Sequence, residues 1–208
     1  MKYKQELSRQ LALDYCCNVE DILDNKNHFN VYEQRDGRRR FEEQDDCVLK
    51  VIVVNEKLIF TGKKEIVNIC KEKYETCSGV WFMDVARFRE LDTILKPYGY
   101  QLKTAHPFFL PEKSENRRSD GQKSACQDAL SGKENRAFEI KKYNHDEIQR
   151  FKGNEQFNEA FCFDENSPDM LAVAAISKGK IIGMAGASAD STTFWQIGIN
   201  TEKEAEIV

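Results

Sequence analysis

The sequence predicts an α+β protein in two parts: a small N-terminal α+β domain, then a mixed or antiparallel sheet flanked by helices. Three observations carry this prediction. Short β-branched runs bounded by turn residues, of which Cys47–Val54 is the sharpest, have the length of strands. Other segments repeat apolar residues every three or four positions, as half-buried helices do. Residues 112–136 hold no aromatic residue and no periodic apolar face, so they cannot bury enough surface to offset the entropy of ordering. They divide the chain into an N-terminal unit, 1–111, a linker, 112–136, and a second unit, 137–208.

Helices open the first unit. Tyr3, Leu7, Leu11 and Tyr15 recur every fourth residue, and Leu13 and Cys17 widen the stripe. Asn18 is placed to cap a short second helix, with Asp21 in its first turn and Val19, Ile22 and Leu23 as its apolar face. Between Asn25 and Asp46 the pattern dissolves. Arg38-Arg39-Arg40 has the composition of a phosphate patch, but Glu42, Glu43, Asp45 and Asp46 follow at once, so a solvated loop is expected.

Order returns with the strand at Cys47–Val54. Asn55-Glu56 turns it into a second strand, Lys57–Thr61, which Gly62 ends. Lys63–Thr76 reads as a helix with Ile66, Val67, Ile69, Cys70 and Tyr74 along one side. Val80–Met83 reads as a buried strand. Asp84 is placed to cap a helix whose face is Val85, Phe88, Leu91, Ile94 and Leu95. Pro97 stops that helix, and an extended piece to Thr104 is expected to follow.

The second unit opens with the alternating strand Phe138–Tyr143. Asn144 caps a helical stretch through Phe151, and a further helix covers about 155–161. Three strands then form a meander. Met170–Ser177 meets the Lys178-Gly179 turn, Lys180–Ser188 returns, Ala189-Asp190-Ser191 turns again, and Thr193–Ile199 closes the set.

Composition narrows the function. Lys+Arg 31 against Asp+Glu 35 gives a net charge of −4, which speaks against a general nucleic-acid or anionic-membrane binder. No run of ~18 apolar residues exists, and the charged N-terminus lacks a signal core, so a cytoplasmic protein is expected. Seven cysteines without regular spacing argue for reduced, mostly buried thiols rather than a disulfide framework. With no Cys-x-x-Cys pair and three scattered histidines, no metal site is expected.

Within the second unit, the stretch "LAVAAISKGKIIGMAGASADSTTFWQIGIN" follows a strand and two helical segments. This ordered set resembles the first half of the GNAT superfamily, the acetyl-CoA-dependent N-acetyltransferases. The resemblance covers about residues 137–200. The preceding "PYGYQLKTAHPFFLP" is similar to the end of the N-terminal extension of some bacterial members. The resemblance implies transfer of an acetyl group from acetyl-CoA to an amine of a small molecule or a protein. The runner-up is a catalytically silent binding or dimerisation module derived from the same fold. Carried over by position, the backbone of Gln196, Ile197, Gly198 and Ile199 would pair with pantetheine as an added strand does. A backbone N–H there would polarise the thioester carbonyl. Gln196 cannot accept a proton at neutral pH, so the nearest acid, Asp190, is the candidate base.

The sequence departs from the family after Ile199. The glycine-rich loop that holds the pyrophosphate should come next. Asn200–Val208 contain no glycine and no arginine, and three of these nine residues are Glu. Acetyl-CoA binding by these residues is therefore expected to be weak. The edge of strand 193–199 is expected to lack a neighbour and to drive association into a homodimer or higher oligomer. Other catalytic readings rest on less: a Cys162/His145 pair, the Asp164/Glu165 carboxylates, and an aromatic cage from Trp81, Phe82, Phe108 and Phe109.

Overall fold

The computed structural model describes residues 2–39, 46–105, 107, 108 and 138–202. The polar stretch 112–136 lies outside the described residues. The chain forms two compact units, Met1–Ala105 with Ala189–Gln196, and His106–Ser188 with Ile197–Val208. Both mix helices with a sheet, as the α+β prediction requires.

In the first unit, α1 (Lys2–Asp14) and α2 (Val19–Leu23) precede β1 (His28–Val31), β2 (Leu49–Val54) and β3 (Lys57–Gly62). Helices α3 (Lys64–Tyr74) and α4 (Val85–Leu95) follow, and the 3₁₀ turn Lys96–Tyr98 ends the series. The sheet order is β1-β3-β2, with β1 parallel and β2 antiparallel to β3. All six residues of the central β3 are buried. One apolar cluster joins Leu58 and Phe60 of this sheet to Ile66, Cys70 and Tyr74 of α3 and to Leu91 of α4. A second joins Ile52 and Ile59 to Leu11, Tyr15 and Ile22. Alternate residues of β2 and β3 thus serve two cores, one on each face, because strand side chains point to opposite sides in turn. The Phe60 ring stacks on Tyr74 at 5.6 Å, and Phe82 meets both rings edge-on.

Several local expectations change. The stretch read as a loop, 25–46, contains β1, a four-residue strand whose place is fixed by pairing rather than by its own hydrophobicity. Val80–Met83 is a series of turns, with Phe82 alone buried and Trp81 at φ +60 with 85% of its surface exposed. Four consecutive apolar residues carry no period, so they do not specify a strand. Ile69 and Val85 face outward from their helices. After Pro97, a left-handed Gly99 (φ +80) ends the 3₁₀ turn, and no strand follows to Thr104.

The second unit follows its expected order closely. It comprises β4 (Glu139–Asn144), α5 (His145–Ile148), 3₁₀ turns at Gln149–Phe151 and Glu155–Phe157, β5 (Asp169–Ser177), β6 (Lys180–Ala189) and β7 (Trp195–Thr201). The helix expected over 155–161 is reduced to the second of these 3₁₀ turns. Strand order in the sheet is β4-β5-β6-β7, so sequence neighbours are spatial neighbours throughout. Pairs β4–β5 and β5–β6 are antiparallel. The Asp190 N–H donates to Phe194 O at one end of β6–β7, and the Glu202 N–H donates to Ile182 O at the other, an antiparallel pattern as well. One face of the sheet is covered. There Tyr143, Ala172, Ala174 and Met184 pack under Ile148, Phe151, Phe157 and Phe161.

Candidate functional site

The candidate site is β7 with the chain that backs it. Among the described residues β7 is the last strand of its sheet, so its outer edge carries no strand partner. Ile197 and Ile199 are exposed on one side of it, and Gly198 and Asn200 point to the other. Gly198 is needed by a close approach. A Cβ on it would lie 1.8 Å from the carbonyl oxygen of Glu159. Gly186, directly across the ladder on β6, is under the same constraint, 1.9 Å from the Ala160 oxygen. Two facing glycines therefore make a slot in the covered face, and the backbone of 159–160 fills it. Asn200 locks that segment down, its Oδ1 accepting the N–H groups of Glu159 (3.0 Å) and Ala160 (2.7 Å). The space beside Gly198 thus belongs to the chain itself. Among the described residues, β7 has no strand partner on its outer edge, and Ile197 and Ile199 are exposed.

The other expected residues fall as follows. Gln196 is exposed on β7, and Asp190 sits in the turn before it, half-buried, its N–H bonded to Phe194 O at 2.9 Å. The turn thus puts Asp190 at the end of the ladder that carries Gln196, Ile197, Gly198 and Ile199.

Near the β5 end a buried carboxylate ties the unit together. Asp169, 2% exposed, accepts the N–H groups of Cys162 (3.0 Å) and Phe163 (2.9 Å) and the Ser188 hydroxyl (2.5 Å). The Asp169 carbonyl meets His145 Nδ1 at 2.7 Å. So His145 and Cys162, read apart in sequence, both attach to Asp169. Its carboxylate serves as an anchor for the 162–163 turn, at φ +48 on Phe163, rather than as a solvent-facing acid. Asp164 caps a turn by accepting the Asn166 N–H at 2.8 Å. The sequence signal for these anchors was weak, because an Asp opening a strand looks the same whether it points inward or outward.

In the first unit, Asp21, Asp24 and His28 bring three donor atoms close enough to surround a cation. A cation is already there. The Lys57 ammonium, 3% exposed, lies 2.9 Å from Asp24 Oδ1 and donates to the carbonyls of Asp21 and Asp24. The Lys26 N–H and this ammonium hold the Asp24 carboxyl well below the usual carboxylate range. The chemistry of the cluster is that of a buried ammonium satisfied by two carbonyls and a carboxylate.

No protein-family model, curated protein or solved structure matches this chain. No helix among the described residues is long and apolar enough to cross a membrane.

Proposed function

We propose that residues 137–208 are the N-terminal half of a GNAT-type N-acetyltransferase domain, which moves the acetyl group of acetyl-CoA to an amine. The observation that supports this reading is topological. A strand, a helical connection and three further strands build an antiparallel sheet in strict sequence order, and among the described residues the last strand has no partner on its outer side. That edge suits an extended pantetheine arm, which pairs with backbone groups as an added strand would. The backbone of Gln196–Ile199 can accommodate the arm, and the nine residues Asn200–Val208 hold no glycine or arginine that would contact phosphates. On this reading an N–H of β7 would polarise the thioester carbonyl. Asp190 at the end of the ladder would take a proton from the attacking amine.

The test separates arm from phosphates. Backbone amide NMR during titration with acetyl-pantetheine and with acetyl-CoA should move the same amides, those of 196–199, with similar millimolar affinity. Acetyl-pantetheine that leaves these amides unmoved at several millimolar sinks the reading. The alternative is a catalytically silent binding or dimerisation module of the same topology. It predicts no acetyl transfer to any of a panel of amines, whether or not the arm binds.

A further inference from the structure

We draw no further inference here: the strongest candidate, the cluster of Asp21, Asp24 and His28 that joins α2 to the start of β1, already surrounds the buried Lys57 ammonium, and no second observation there points to a metal ion or another ligand.

Discussion

At Gly198 and Gly186 the side chain must be a hydrogen. The carbonyls of 159–160 already occupy the place of a Cβ, and backbone cannot step aside as a flexible side chain can. Gly198→Ala should therefore destabilise the second unit by about 3 kcal/mol in urea unfolding. A loss under ~0.5 kcal/mol would show that the slot is loose. Gly183, where a Cβ would meet nothing nearer than 3.8 Å, is the internal control. Thiols report burial in a second way. Burial pushes Cys17 and Cys70 up to about 12. Both should resist alkylation in the native state at pH 8, while exposed Cys162 reacts readily. The sign of the linkage follows. A thiol whose pKa is raised on folding gives stability that is complete below its unfolded value of ~8.5 and declines as pH rises toward the folded value. Unfolding midpoints should fall above pH 9, and Cys70→Ser should reduce that slope.

At the scale of elements, the ends of helices are fixed by residues distant in sequence. Asn27, just before β1, donates through Nδ2 to the carbonyls of Tyr74 (2.9 Å) and Cys77 (2.7 Å) at the end of α3. Its Oδ1 accepts the Leu58 N–H (2.8 Å) at the start of β3. One side chain thus joins a helix end to two strands of the sheet. Asn27→Ala should cost about 2–3 kcal/mol, because part-buried carbonyls and an N–H lose their partner together. A cost no greater than that of a typical surface substitution would contradict this. Lys57 does the same for α2. Lys57→Met keeps the stem but leaves the carbonyls of Asp21 and Asp24 without their donor, and should cost about 2 kcal/mol. Asp24 adds a pH dependence. Its pKa is lowered on folding, so its contribution is present above the unfolded value of ~3.9 and fades as pH falls further. Its side chain is 36% exposed, so solvent screens the effect. Acid titration of the Lys57→Met variant should show a smaller loss of stability below pH 4 than the parent.

For the molecule as a whole, the two sheets should differ in how they protect their amides. In the first, the fully buried β3 sits between two partners, so Ile59 and Phe60 should exchange among the slowest. In the second, β5 and β6 are internal while β4 and β7 are terminal among the described residues, so the outward-facing amides of β4 and β7 should exchange fastest in that sheet. Uniform protection across β4–β7 would mean that both outer edges are covered in solution.

What the sequence by itself determined was set by short-range patterning. The α1 and α3 stripes, the Asn55-Glu56 and Lys178-Gly179 hairpins, the Asn18, Asp84 and Asn144 helix starts and the 170–199 meander were legible, because each rests on residues within a turn or a strand of one another. Of the candidate site, only the strand β7 itself was legible, for the same reason. The tertiary structure alone decided the rest. β1 is a strand because β3 offers it a parallel partner about thirty residues away, which no local propensity encodes. Val80–Met83 is a turn because Phe82 alone finds a place in the core. Gly198 is a contact point for the chain's own backbone because 159–160 crosses it, and Asp169 is an anchor because the 162–163 turn and Ser188 of β6 converge on it. Periodicity fixes which way a side chain points within its own element, but what it meets depends on elements far away in the chain.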